Sequence, residues 1–200
     1  MISLEKIYEI YLQHPFVTTD SRKITEGCLF FALRGDNFDG NAFAKKALEQ
    51  GAAFAVVDDS KVAENDQYIV VPNALITLQQ LARYHRRQLG ITVVAITGSN
   101  GKTTTKELVS TVLSSHYQTH YTKGNLNNHI GVPLTLLAMP ASTEVAIVEI
   151  GANHQKEIAF LCTIAEPTHG VITNIGKAHI EGFGGEEGIK KGKGELFEYC

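Results

Sequence analysis

The sequence has no excess of basic residues and no long apolar run. Its 18 Lys and Arg residues against 21 Asp and Glu give a net charge of -3, which argues against broad nucleic-acid binding. No apolar run approaches the roughly 18 residues of a membrane span, and the opening residues, MISLEKIYEI, do not follow the pattern of a signal peptide. We therefore expect neither a nucleic-acid partner nor a membrane association.

Cysteine is scarce. Cys28, Cys162 and Cys200 are widely spaced and odd in number, and the first two lie in apolar runs. They are most simply buried thiols in a reducing cytoplasm, so we expect a cytoplasmic protein. His116 and His120 are four residues apart, but no zinc-site motif surrounds them, so we do not expect a structural zinc.

What the sequence does contain is an alternation of helical and strand patterns from end to end, which predicts an α/β fold. With 44% hydrophobic and 20% charged residues, the chain can bury a core. Helices are predicted at residues 4–12, 41–50, 74–89, 155–164 and 186–199. Strands are predicted at residues 16–18, 29–33, 52–57, 68–71, 93–97, 145–149 and 171–173.

Gly90 follows the helix at 74–89 and precedes an apolar strand, which predicts a domain boundary near residues 86–91. The domains would then be residues 1–88 and 89–200. The second has fewer strands than a nucleotide-binding sheet usually has, so we expect it to be incomplete. The basic residues before the boundary are interpreted as a solvated helix end: Arg83, His85, Arg86 and Arg87.

Residues 93–108, VVAITGSNGKTTTKEL, predict a nucleotide triphosphate site. An apolar strand is followed by a turn and a helix start, and the residues concerned are Gly98, Ser99, Asn100, Gly101, Lys102, Thr103 and Thr104. A helix N-terminus after a glycine turn binds phosphate. Lys102 would add positive charge at the outer phosphates, and the Thr103 hydroxyl would be a ligand for Mg2+. The alternative is a glycine turn before an ordinary helix, but the strand and helix on either side favour phosphate binding.

Three further segments carry polar residues next to apolar ones. Glu149 ends an apolar strand, where a carboxylate can hold Mg2+ opposite a P-loop; the alternative is a surface glutamate. His179, in a glycine-rich loop, is a candidate metal ligand, although a lone histidine there is more often structural. Asn127 and Asn128 can serve substrate amides or oxyanions, but from the residues alone the left-handed turns that asparagine tolerates are favoured.

Taken together, four segments resemble the Mur ligases, the ATP-dependent amide-bond ligases that build the peptidoglycan stem peptide. The segments are TGSNGKTTTKE, GNLNNHIGVPLTLL, VEIGANHQKEI, and TNIGKAHIEGFG followed by GKGEL. The resemblance covers essentially the whole chain and accounts for Ile96, where a general P-loop has glycine. It implies a small uridine-nucleotide-binding α/β domain at residues 1–88 and a truncated P-loop central domain at residues 89–200.

The resemblance also implies the reaction. ATP would phosphorylate the carboxylate of UDP-N-acetylmuramoyl-tripeptide, and the amine of D-alanyl-D-alanine would attack the acyl phosphate. A monomer is expected. Family members carry a third domain that this chain lacks, so we expect these 200 residues to have little ligation activity alone. The alternatives are a sister ligase that adds the third stem-peptide residue and a non-catalytic ATP-binding module.

The roles of individual residues follow from the same resemblance. The implied catalytic residues are Lys102, Glu149, His179 and Lys193, and the implied metal ligands are Thr103, Glu149, His179 and Lys193. Residues implied to bind substrate are Asp20, Ser21, Arg22, Arg34, Asp39, Gly40, Asn127 and Asn128, for which turn formation is the alternative. The resemblance implies that Lys193 is carbamylated by CO2. Lys190 and Lys191 lie close by in the sequence, so they are alternative candidates for this lysine. The alternative for Lys193 itself is an unmodified side chain on a solvated basic helix face.

Overall fold

The computed structural model describes residues 2–176 and 180–200. The chain divides into two compact units, Met1–Tyr84 and His85–Cys200, and each contains a four-stranded parallel sheet. The prediction of an α/β fold is confirmed. The predicted division at residues 88 and 89 falls about one helical turn later, within the helix Ala74–Leu89. Among the described residues, no helix is both long enough and apolar enough to cross a membrane.

The first unit is built around a sheet with strand order β1-β2-β5-β6. Its elements are α1 (Leu4–Gln13), β1 (Val17–Thr18), β2 (Leu29–Phe31), β3 (Arg34–Gly35), β4 (Phe38–Asp39), a 3-10 helix (Gly40–Phe43), α2 (Ala44–Glu49), β5 (Phe54–Val57), a 3-10 helix (Ser60–Val62), β6 (Tyr68–Val70) and α3 (Ala74–Leu89). Strands β3 and β4 form a separate antiparallel hairpin, which the sequence did not predict.

The core of this unit follows from its apolar runs. Every residue of β2 is buried, as expected for a parallel strand that is covered on both faces. Small residues let α2 pack closely against the sheet, and the buried cluster consists of Cys28, Phe30, Ala32, Ala44, Ala47, Ala52, Ala55, Val57 and Tyr68. The prediction of a buried Cys28 thiol is confirmed.

The second unit is built around a parallel sheet with strand order β10-β7-β9-β8. Its elements are β7 (Thr92–Thr97), α4 (Lys102–Ser114), β8 (Thr119–Tyr121), α5 (Gly131–Leu137), β9 (Val145–Glu149), α6 (Glu157–Ala165), β10 (His169–Ile172), α7 (Ile180–Phe183) and α8 (Glu186–Tyr199). The edge strand β8 is short and only partly buried, and the sequence did not predict it.

The register of this sheet decides which residues meet. Ile96 of β7 pairs with Glu149 of β9, and Thr97 pairs with Ile172 of β10. Because the strands are parallel, their carboxyl ends lie at the same edge of the sheet, where ligands of such sheets bind. The turn after β7, the glutamate that ends β9 and the loop after β10 are therefore neighbours.

The interpretation of the basic residues before the boundary as a solvated helix end is wrong for His85 and Arg86. Both are buried, and His85 Nε2 lies 2.9 Å from the carbonyl oxygen of Met139. The Arg86 guanidinium donates to the carbonyl oxygens of Ala165 and Glu166. The last carbonyls of a helix have no intrahelical partner, so Arg86 caps the end of α6, which a sequence pattern alone does not reveal.

Candidate functional site

Two glycines shape the turn between β7 and α4. Gly98 has a φ of +147° and Gly101 a φ of +76°, both in the region that favours glycine. A Cβ on Gly98 would lie 2.0 Å from Thr173 Oγ1, so a side chain there would also clash. The turn therefore passes close to the loop after β10 and brings the N-terminus of α4 to the carboxyl edge of the sheet.

The loop after β10 holds this turn in place. The Ser99 N–H donates to the carbonyl oxygen of Asn174 at 3.0 Å, and the Asn100 N–H donates to Asn174 Oδ1 at 3.1 Å. The Ser99 hydroxyl bonds both the carbonyl and the N–H of Gly176, each at 2.9 Å. The amides of Ser99 and Asn100 are thus used in bonds to this loop. The N–H groups of the first turn of α4 have no intrahelical acceptor, so they can donate to an anion.

Lys102 is the first residue of α4. Its ammonium donates to the carbonyl oxygens of Gly98 at 2.8 Å and Ser99 at 3.3 Å. The side chain also lines a cavity of about 550 Å3, whose lining residues are Lys102, Asn127, Asn128, His129, Gly151, Ala152, Asn153, Glu157, Phe160 and Leu161. A positive charge beside a helix N-terminus is suited to bind a polyphosphate.

Glu149 is buried, with 2% of its surface exposed, and its carboxylate faces α4. Oε2 accepts a hydrogen bond from the Thr103 hydroxyl at 3.0 Å, and Oε1 accepts one from Asn127 Nδ2 at 2.8 Å. The Glu149 N–H donates to Thr122 Oγ1 at 2.9 Å. The structure thus brings a hydroxyl oxygen and a carboxylate together, and such hard oxygen ligands suit Mg2+. The alternative of a surface glutamate is wrong.

Asn127 and Asn128 both line the cavity, but they make different contacts. Asn128 Oδ1 accepts from the N–H of Ile130 at 3.1 Å and of Gly131 at 2.8 Å, so it caps the start of α5 in the way its residue type favours. Asn127 instead supports Glu149, and its carbonyl oxygen accepts from the Gly151 N–H at 2.8 Å. A substrate role for either residue stays a prediction.

Lys193 is buried on α8, with 2% of its surface exposed, so the alternative of a solvated basic face is wrong for it. Burial, and next the positive charge of Lys102, lower the pKa of Lys193 to about 8. Its Nζ lies 5.1 Å from the centroid of the Phe183 ring. Lys190 is exposed and bonds Glu187. Of these two lysines, only Lys193 has a lowered pKa.

His179 lies outside the described residues, so its predicted role as a metal ligand stays a prediction. Within residues 2–176 and 180–200, no three His, Cys, Asp or Glu side chains are grouped so that they could hold a metal. Thr103 and Glu149 are the candidate ligands that the described structure does bring together.

Sequence reasoning missed Glu157 and Glu195. Glu157 lines the cavity, and its Oε2 accepts from the N–H groups of Asn153 at 2.7 Å and His154 at 3.2 Å. Glu195 accepts from the Lys156 N–H at 2.6 Å and thus caps α6 from the neighbouring helix α8. An acidic residue in the first turn of a helix was a signal for Glu157. No local pattern marks Glu195.

In the first unit, Asp20 and Arg22 form an ion pair beside Ser21. Asp20 Oδ1 accepts from the N–H and Nε of Arg22 at 3.0 and 2.8 Å. Hydrogen bonding by the Arg22 side chain is the main cause that lowers the pKa of Asp20. Because the Arg22 side chain is 86% exposed, it is accessible to a ligand.

Arg34 and Asp39 belong to a second polar cluster in this unit. Arg34 Nε lies 2.8 Å from Asp58 Oδ1, and Asp39 Oδ1 accepts from the N–H of Asn41 at 2.9 Å. A Cβ on Gly40 would lie 2.5 Å from the carbonyl oxygen of Leu33, so packing alone explains this glycine. Binding of a uridine nucleotide by these residues stays a prediction.

Two family models match the chain. The model of the Mur ligase family catalytic domain matches residues 14–96, and the model of the Mur ligase middle domain matches residues 96–200.

Named relatives agree with these matches. The chain is similar to the UDP-N-acetylmuramoyl-tripeptide–D-alanyl-D-alanine ligases of Bacillus subtilis (46% identical) and Escherichia coli (44% identical), over 90% of this chain and 40% of each relative. It is also similar to the crystal structure of MurF ligase from Thermotoga maritima in complex with ADP. That likeness has a TM-score of 0.84 at 34% identity, over 100% of this chain and 45% of that chain. The chain thus spans less than half the length of the relatives it matches.

Proposed function

This chain belongs to the Mur ligase family, and from that premise we propose that it forms part of an ATP-dependent ligase. The ligase would join D-alanyl-D-alanine to UDP-N-acetylmuramoyl-tripeptide, the reaction named for the Bacillus subtilis and Escherichia coli relatives. The ADP in the Thermotoga maritima structure supports the choice of nucleotide. A cytoplasmic location and a monomeric state stay predictions.

One observation carries the proposal: the 3.0 Å hydrogen bond between Thr103 and Glu149. It joins the first turn of the helix after the glycine turn to the end of a neighbouring strand. Lys102 lies beside it on the wall of the cavity. A site that only bound phosphate would need the helix N-terminus and the lysine. The buried carboxylate adds a group that repels phosphate unless a cation lies between them, and it is therefore evidence for chemistry that uses a metal.

The proposed reaction has two steps. First, a carboxylate oxygen of the tripeptide attacks the γ-phosphorus of ATP, the bond to the β-phosphate oxygen breaks, and ADP leaves. Then the amine nitrogen of D-alanyl-D-alanine attacks the acyl carbon, the bond to the phosphate oxygen breaks, and the nitrogen loses a proton. Lys102 would hold the outer phosphates, because a triphosphate and a carboxylate repel each other until positive charge aligns them. Asn127 and Asn128 would line the path of the peptide.

The residues present fit a magnesium ion. Thr103 and Glu149 supply hydroxyl and carboxylate oxygens at one place, and Asn127 orients the carboxylate. When bound, Mg2+ would neutralise charge on the phosphates. His179 and a carbamylated Lys193 are the other proposed ligands.

Lys193 is suited to react with CO2 because the reaction needs a neutral amine. The lone pair of the nitrogen attacks the carbon of CO2, an N–C bond forms, electrons move to an oxygen, and the nitrogen releases a proton. With its pKa lowered to about 8, about one tenth of the amine is neutral at pH 7, against less than about 0.1% for an ordinary lysine. The product would place a carboxylate near Lys102.

We also propose that the first unit binds the uridine nucleotide through Asp20, Ser21, Arg22, Arg34, Asp39 and Gly40. The exposed guanidinium of Arg22 is suited to a diphosphate, because guanidinium groups bind phosphate oxygens in pairs.

The test uses the protein expressed from its complete reading frame. Phosphate release is measured with ATP, UDP-N-acetylmuramoyl-tripeptide and D-alanyl-D-alanine, alongside ATP binding by calorimetry. We expect Lys102→Ala to lose ATP binding and Glu149→Ala to keep binding but lose phosphate release. Lys190→Ala, which removes an exposed lysine, is the control and should change neither.

The outcomes separate the alternatives. ATP binding without phosphate release in the unsubstituted protein would indicate a non-catalytic module. Release that requires a single amino acid and the dipeptide precursor, in place of the tripeptide and D-alanyl-D-alanine, would indicate the sister ligase that adds the third residue.

A further inference from the structure

Lys106 is a fully buried lysine, with 0% of its surface exposed, and the proposed reaction gives it no role. It lies on α4, one turn after Thr103, so both side chains project from the same face of the helix. Its ammonium donates to the carbonyl oxygen of Thr122 at 2.8 Å and lies 2.9 Å from Glu107 Oε1. Burying an ammonium is costly even when it is paired, so an apolar residue would fill this place more cheaply.

The partner of Lys106 is itself bonded to Glu149. Thr122 directly follows the edge strand β8 and is fully buried. Its N–H donates to the carbonyl oxygen of Ile147 at 3.0 Å, and its hydroxyl accepts from the Glu149 N–H at 2.9 Å. The carbonyl that Lys106 holds therefore belongs to the residue that fixes the backbone of Glu149.

Thr122 is also the first residue of the loop that supports the Glu149 side chain. The chain runs from Thr122 to Asn127, whose Nδ2 donates to Glu149 Oε1 at 2.8 Å. Helix α4 thus contacts Glu149 directly through Thr103 and holds, through Lys106, the residue from which the other supports begin.

We propose that Lys106 is a positioning residue for Glu149. By tying the end of β8 to α4, it fixes the backbone at Thr122, and with it the direction of the Glu149 carboxylate toward the Thr103 hydroxyl. The inference rests on the proposed function, because the position of the Glu149 carboxylate matters only if this carboxylate binds a metal. Residues that orient metal ligands typically change metal affinity or activity by about 10- to 100-fold when they are substituted.

The experiment is a Mg2+ titration of ATP-dependent phosphate release in the protein expressed from its complete reading frame. Lys106→Met keeps most of the length of the side chain and removes the donor. We expect it to raise the Mg2+ concentration for half-maximal rate by about 10-fold or more, while ATP binding without Mg2+ changes by less than about twofold. Glu107→Gln is the matched control: it weakens the neighbouring ion pair, leaves the bond to Thr122, and should leave the Mg2+ dependence unchanged.

A second variant covers the case in which Lys106→Met does not fold. Thr122→Val keeps the branched shape and the carbonyl but removes the acceptor for the Glu149 N–H, and it should raise the Mg2+ requirement in the same direction. The positioning role is refuted if a folded Lys106→Met protein, or Thr122→Val in its place, shows the Mg2+ dependence of the unsubstituted protein.

Glu149→Gln separates this result from a failure of the proposed function. If Glu149→Gln raises the Mg2+ requirement and Lys106→Met does not, only the inference about Lys106 is wrong. If neither variant changes it, the proposed metal site is wrong. If the unsubstituted protein releases no phosphate, the proposed reaction is wrong. In both cases the inference about Lys106 is overturned as well.

Discussion

The hydrogen bond between Thr103 and Glu149 can be measured by itself in a double-mutant cycle. Thr103→Val keeps the shape of the side chain and removes the hydroxyl. Glu149→Met keeps roughly the length of the side chain and removes both acceptor oxygens. The two single variants and the double variant give the free energy of interaction between these side chains, without ATP or Mg2+ present.

The structure sets the expected size of this interaction. Hydrogen bonds to charged groups contribute about 1.5–3 kcal/mol, and the donor and acceptor oxygens lie 3.0 Å apart. The Glu149 carboxylate is buried, which strengthens the bond, but Thr103 is exposed, so water can replace part of it. We therefore expect a coupling free energy of about 1–2 kcal/mol, around the lower end of this range.

The assay is unfolding in urea. At each urea concentration, the unfolded fraction of the second unit is measured by pulse-labelling hydrogen exchange of peptides from His85–Cys200. This readout separates the transition of the second unit from that of the first. Thr103→Ser, which keeps the hydroxyl, is the control and should retain most of the coupling. If the effects of Thr103→Val and Glu149→Met add to within about 0.5 kcal/mol, the two side chains do not interact, and the geometry that supports the metal site is wrong.

Three further predictions concern stability. Gly40→Ala should lower the free energy of unfolding by about 2 kcal/mol, because the new Cβ would clash with the Leu33 carbonyl oxygen. Gly35 has open space around it, so the control Gly35→Ala should change the free energy of unfolding by less than about 0.5 kcal/mol. Equal urea midpoints for the two variants would contradict this prediction. Arg86→Met should lower the free energy of unfolding by about 2 kcal/mol, because it leaves the end of α6 uncapped. Arg87→Met removes only an exposed ion pair and should lower the free energy of unfolding by less than about 1 kcal/mol. Burial lowers the pKa of His85 in the folded protein, so below about pH 6.5 the unfolded state binds more protons than the folded state. The free energy of unfolding should therefore fall, as the pH is lowered, by up to about 1.4 kcal/mol per pH unit. His85→Gln should reduce that slope, and an unchanged slope between pH 7 and 5 would exclude the effect.

The parts of the site that are local in sequence could be predicted from it. An apolar run, two glycines and a helix start determine β7, the turn and α4, because each depends on neighbouring residues. The strand that ends at Glu149 was predicted for the same reason. The short edge strand β8 was not, since three partly buried residues carry too little pattern to mark a strand.

The sequence by itself determined the α/β class, the turn that presents the N-terminus of α4, and the residue types suited to phosphate and magnesium. Only the tertiary structure decided which of these residues meet. Thr103 and Glu149 are 46 positions apart, and they meet because β7 and β9 are paired in one register. The burial of Lys106 and Lys193 was decided in the same way, since a lysine on a helix is buried or solvated according to what packs against it.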